Sequence, residues 1–85
     1  MSNYKDVRKS MGMHLRHIRT LMGGTQKELA EAVGVTQYAV SQYENGKLSL
    51  GKFAQVMNHM DYDVVIILKN KNKNDDRPKE IQISI

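Results

Sequence analysis

Apolar residues recur in steps of three and four along the first part of the chain. Tyr4, Val7, Met11, Leu15, Ile18 and Met22 form one stripe, which is helix periodicity. Asn3 can cap its start, and Gly23-Gly24 ends it. Gly12 lies within the stripe, where it weakens a helix and marks a bend or a close approach. Thr25-Gln26-Lys27-Glu28 has the form of a capping box, a Thr cap with Glu three residues on. Leu29, Ala30 and Val33 then line one face of a second helix, which Gly34 ends. Thr36 offers the next cap, and Ala39, Val40 and Tyr43 make the next stripe. Asn45-Gly46 is a stop signal. Ser49 caps a fourth helix in which Phe53, Val56, Met57 and Met60 face one way.

The period then changes. Residues 62–69 are rich in Val and Ile and read as a strand. Residues 70–79 are polar, repeat Lys and Asn, hold the one proline and read as a loop. Ile81, Ile83 and Ile85 alternate with Glu80, Gln82 and Ser84, the pattern of a half-buried strand. The expected fold is mainly α: four helices over residues 1–60, followed by a C-terminal β-hairpin over residues 61–85.

The second and third helices carry the sharpest pattern. Two helices that cross closely need a small side chain at the crossing, and Ala30 supplies it. The tight turn between them favours a residue tolerant of positive φ, and Gly34 supplies that. Val35 and Val40 fill the wedge, and Thr36 caps the second member. Thr25-Gln26-Lys27-Glu28-Leu29-Ala30, Gly34-Val35-Thr36-Gln37 and Tyr43-Glu44-Asn45-Gly46-Lys47 together resemble the Cro/C1 (XRE) helix-turn-helix family of repressors. The resemblance spans residues 15–60 and implies a compact helical DNA-binding domain, usually dimeric, that acts on transcription.

At 100° per residue, Ala39, Val40, Tyr43 and Glu44 share one side of the third helix. Gln37, Tyr38, Ser41 and Gln42 share the other. Uncharged polar side chains suit base-edge reading, with Gln able to pair bidentately with adenine. The resemblance implies base contacts by Gln37, Tyr38, Ser41 and Gln42. Outside this motif the same four residues would be an ordinary solvated face. The resemblance also implies phosphate contacts by Thr25 and Gln26 at a helix N-terminus, and by Asn45, Lys47 and Lys52 after the third helix. Such contacts set register and salt dependence. It further implies a structural ion pair between Arg19 and Glu44, in place of a loose surface pair.

Charge agrees with a nucleic-acid partner. Residues 1–60 hold eight basic side chains against four acidic ones, while residues 61–85 hold five of each. The excess positive charge therefore lies in the helical part, which favours polyanions such as double-stranded DNA.

Other chemistry is thinly represented. The chain has no cysteine, which excludes disulfides, thiol catalysis and Cys-ligated metals and suits a cytoplasmic, reducing location. The longest apolar run, residues 64–68, is far too short to span a bilayer. The first six residues have no apolar signal core, so secretion is not expected. His14, His17 and His59 lack a completing ligand set, and the methionines suit packing. No catalytic residue, metal or cofactor is expected.

The first strand is apolar on both faces, so both need cover, and an isolated hairpin is marginal in water. The reading is a homodimer joined through Val64, Ile66, Leu68, Ile81, Ile83 and Ile85. The opposing reading is an intrachain hairpin folded over its own helices. The expected function is a dimeric repressor reading a palindromic operator. A strand-rich tail after such a head also resembles HipB-type antitoxins, which bind a protein toxin and repress their own operon. A third reading is a protein-interaction module that does not read DNA. Its signal, an acidic or apolar outer face on the third helix, is absent here.

Overall fold

The computed structural model describes residues 3–85. Met1, Ser2 and the side chain of Tyr4 lie outside the described residues, so the first stripe is followed from Val7. Four helices, α1 (Tyr4–Leu21), α2 (Gln26–Val33), α3 (Gln37–Glu44) and α4 (Leu50–His59), precede two strands, β1 (Val65–Lys69) and β2 (Glu80–Ser84).

Each helix begins at the expected cap. The side chains of Asn3, Thr25, Thr36 and Ser49 accept from the backbone N–H groups of Asp6, Glu28, Ala39 and Lys52. Glu28 returns the bond to the Thr25 N–H, completing the capping box. Gly34 ends α2 in the left-handed region at φ 74°, where a side chain would be strained.

The core is built from the predicted stripes, joined by Leu48 from the segment before α4, which no stripe included. Leu15, Val40 and Val56 are fully buried, with Leu29, Ala30, Leu48, Met57 and Met60 around them. Val35 packs against this cluster. Val7 and Met22, at the ends of the first stripe, are exposed instead. An 18-residue helix faces helices of 8 and 10 residues. At about 1.5 Å per residue, α1 outruns what it packs against.

Gly12 marks a close approach, not a bend. A Cβ there would sit 2.7 Å from the carbonyl oxygens of Tyr43 and Glu44 and 2.8 Å from the Gly46 nitrogen. Gly46 meets the same constraint from the other side, 3.2 Å from the Lys9 backbone, at φ 91°. The end of α3 thus rests directly on the α1 backbone.

The strands pair antiparallel within the chain, Val65 opposite Ser84 through to Lys69 opposite Glu80. β1 begins later than expected, because residues 60–63 turn the chain out of α4, with Asp61 in the left-handed region at φ 63°. The connecting loop folds onto itself through the side chains of Asn70, Asn72 and Asp75, each accepting from a backbone N–H two residues on. The hairpin pairs within the chain, and its Val64 packs against the helical core. The molecule is correspondingly long, 51 × 24 × 20 Å. No helix among the described residues is long and apolar enough to cross a membrane.

Gly12→Ala should destabilise the fold by about 1–3 kcal/mol, because overpacking against fixed backbone outweighs the better helix propensity of Ala. Gly51→Ala in α4, with no atom nearer than 4.0 Å, should be neutral or stabilising by up to about 1 kcal/mol. Urea titrations of the two variants test this contrast.

Candidate nucleic-acid interface

The geometry of α3 is set from its C-terminal end. Arg19 on α1 donates from Nε to Glu44 Oε2 at 2.6 Å and from Nη2 to Oε1 at 3.0 Å. Its remaining Nη1 donates to the Gly24 carbonyl at 2.8 Å. Gln26, the first residue of α2, donates from Nε2 to Glu44 Oε1 at 3.0 Å. The two charged side chains are 14% and 4% exposed, which separates this pair from a loose surface contact. One carboxylate therefore joins α1, the α2 N-terminus and the last turn of α3.

Burial alone would push the Glu44 carboxyl up. Hydrogen bonds from Arg19 and Gln26, with the positive charges of Arg19 and Arg16, outweigh it and hold the group below the usual carboxylate range. The hydrogen bond to Glu44 raises the Arg19 guanidinium above its ordinary value, against the opposing effect of burial. Both shifts favour the ionised pair.

With its inner side held by Val40 and Glu44, α3 turns its other side outward. Gln37 and Tyr38 are exposed, Tyr38 at 72%, and Ser41 and Gln42 are half-buried. The four amide and hydroxyl side chains share one polar strip with no carboxylate in it. The two half-buried members also anchor the following turn by main chain. The Asn45 N–H donates to both Ser41 and Gln42 carbonyls, and the Lys47 N–H donates to Gln42.

The residues expected around this strip are placed unevenly. Thr25 caps α2, and the first N–H groups of a helix have no intrahelical partner. Gln26 lies at that end, but its side-chain amide is committed to Glu44. Asn45 and Lys47 are exposed on the turn after α3. Lys52, in the first turn of α4, holds Gln55 Oε1 at 3.0 Å through its ammonium.

Two members of the Glu44 network were not legible beforehand: the Gln26 side chain and the Gly24 carbonyl. Gln26 meets Glu44 only when α2 packs against α3, which no local spacing encodes, while the Gly24 carbonyl meets Arg19 through the turn that follows α1. Among the described residues no three His, Cys, Asp or Glu side chains come together in a way that could hold a metal ion.

A family model described as helix-turn-helix matches residues 15–64, more than half of the chain. The matched span takes in the C-terminal part of α1 and all of α2, α3 and α4, and ends where the hairpin begins. A comparison with curated proteins found no match.

Removing one partner of this pair leaves a buried charge without its counterion. Arg19→Met should therefore cost about 3–5 kcal/mol, and Arg19→Met with Glu44→Leu should recover much of the loss. Because the folded Glu44 carboxyl lies below its unfolded value, its contribution is complete above the ordinary glutamate range. The contribution is lost as pH falls through the depressed value. The acid limb of the stability curve should accordingly flatten in the double variant, as read by urea denaturation across pH.

Proposed function

Since the chain belongs to the Cro/C1-type (XRE) helix-turn-helix family of DNA-binding regulators, we propose that it is a dimeric transcriptional repressor that reads a palindromic operator through α3. The observation that carries this reading is the outward polar strip of Gln37, Tyr38, Ser41 and Gln42 on a helix whose base is clamped by Arg19 and Glu44. Amide side chains on a rigid helix pair with base edges in the major groove at low entropic cost. Gln37 and Gln42 supply bidentate contacts, Ser41 a single hydrogen bond, and Tyr38 packs on a thymine methyl or on sugar.

Phosphate contacts come from two sides of the strip. The α2 N-terminus at Thr25 and Gln26 offers main-chain N–H groups and the positive end of the helix dipole. Asn45 and Lys47 approach the backbone from the turn after α3, with Lys52 beyond them. These groups position the duplex without choosing its sequence.

One recognition helix spans only a few base pairs. A two-fold dimer doubles the contacts and places half-sites about 34 Å apart, one helical turn. The exposed hairpin supplies the dimer contact through Val64, Ile66, Leu68, Ile81, Ile83 and Ile85. The chain acts in the cytoplasm, where its operator DNA is accessible. The hairpin outside the family match also supports a second reading, an antitoxin whose tail joins two DNA-binding heads while a toxin binds elsewhere. Co-purification of a stoichiometric larger partner from the native cell distinguishes it from a stand-alone repressor.

Selection of binding sites from random DNA should return an inverted repeat. Against the selected site, Gln37→Ala and Gln42→Ala should each lose about 1–3 kcal/mol of discrimination, with little loss on random duplex. Lys47→Ala should weaken both alike and reduce the salt slope by about 0.9. Unchanged preference for the selected site in both Gln variants would remove α3 from the reading surface.

A further inference from the structure

Directly opposite residues in an antiparallel pair share a face. The register therefore sets Ile66 beside Ile83 and Leu68 beside Ile81. The bond from the Ile85 N–H to the Val64 carbonyl extends the same face by one more pair. This face of the hairpin is wholly apolar. The other face pairs Val65 with Ser84, Ile67 with Gln82 and Lys69 with Glu80, so it is mostly polar. On the apolar face Leu68 is 48% exposed and Ile81, Ile83 and Ile85 are 43–44% exposed.

The net zero charge of residues 61–85 hides a separation along the hairpin. The tip, residues 69–80, holds five basic side chains against Asp75, Asp76 and Glu80. Asp75 accepts from Arg77 Nε at 2.6 Å, and Glu80 lies opposite Lys69. That leaves Lys71, Lys73 and Lys79 against Asp76. The base, where the chain leaves α4, holds Asp61 and Asp63 and no Lys or Arg. Both aspartates are exposed. The two ends are thus of opposite sign, separated by strands about 17 Å long.

We infer that two copies of the chain pack apolar face to apolar face with their hairpins antiparallel, the basic tip of each lying against the acidic base of the other. This rests on the dimer reading above and adds its orientation. Burying the apolar faces favours parallel and antiparallel stacking alike. Charge separates them. Parallel stacking sets tip on tip and base on base, and both contacts repel. Antiparallel stacking sets opposite signs together, and the two-fold axis makes both contacts identical. The ends lie more than a Debye length of about 8 Å apart, so each contact acts on its own neighbour.

The absence of cysteine permits a direct test in the full chain. Asn72→Cys marks the tip and Tyr62→Cys the base. When the two variants are refolded together, one carrying a tag, a short bismaleimide should join tip to base in a mixed dimer. Neither variant alone should cross-link efficiently. Efficient cross-linking of Asn72→Cys to itself would overturn the orientation while leaving the dimer intact. A wild-type chain that sediments as a monomer at micromolar concentration would overturn the dimer and the orientation with it.

Charge reversal gives a second readout. Asp61→Lys with Asp63→Lys should weaken the dimer about tenfold at low salt. Adding Lys71→Glu and Lys73→Glu to that chain should restore it. Dimer affinity unchanged by the first pair would also overturn the orientation.

Discussion

The contact between the Arg19 guanidinium and the Glu44 carboxylate governs where α3 points. A buried ion pair contributes little net stability, because desolvation offsets most of the attraction. Its value here is geometric. The guanidinium is a rigid fork, and two of its nitrogens face two carboxylate oxygens while the third holds the Gly24 carbonyl. Rotation of α3 about its axis would break this arrangement and leave a buried charge uncompensated. The outward set of side chains is thereby held in one orientation relative to α1 and the α2 N-terminus.

The glycines at the same end make that contact possible. Gly12 lets the carbonyls of Tyr43 and Glu44 come within a distance that a Cβ would forbid, and Gly46 lets the following turn lie on the backbone at Lys9. The ion pair and the close approach act on the same turn of α3. One sets direction, the other depth. Together they leave the polar strip as the exposed surface and bury the stripe of Val40 and Glu44.

The hairpin obeys different physics. The helical part closes a core around Leu15, Val40 and Val56, and Val64 packs against it from the start of the hairpin. Its apolar face is larger than its own chain covers, while its charges are segregated end from end. The head presents polar groups on a rigid frame, and the tail presents apolar groups that want cover.

Local signals were readable along most of the chain because they act through the chain's own neighbours. The four caps, the Gly34 turn and the strand alternation depend on residues within about four positions of each other, so they appear in the sequence as spacing. The family resemblance was legible for the same reason, since the helix-turn-helix is a local motif. The match of Arg19 to Glu44 came from that resemblance, not from spacing.

Long-range consequences were not readable. Gly12 could mark a bend or a close approach until α3 was seen to rest on it. The Gln26 amide meets Glu44, 18 positions away, a contact that no local spacing encodes. Alternation marks Ile81, Ile83 and Ile85 as one face of β2, and which residues of β1 stand opposite them is set by the pairing register. Period and capping determined which elements form. Crossing angles, register and the meeting of distant side chains were decided by tertiary packing, because those depend on distances that neighbouring residues do not set.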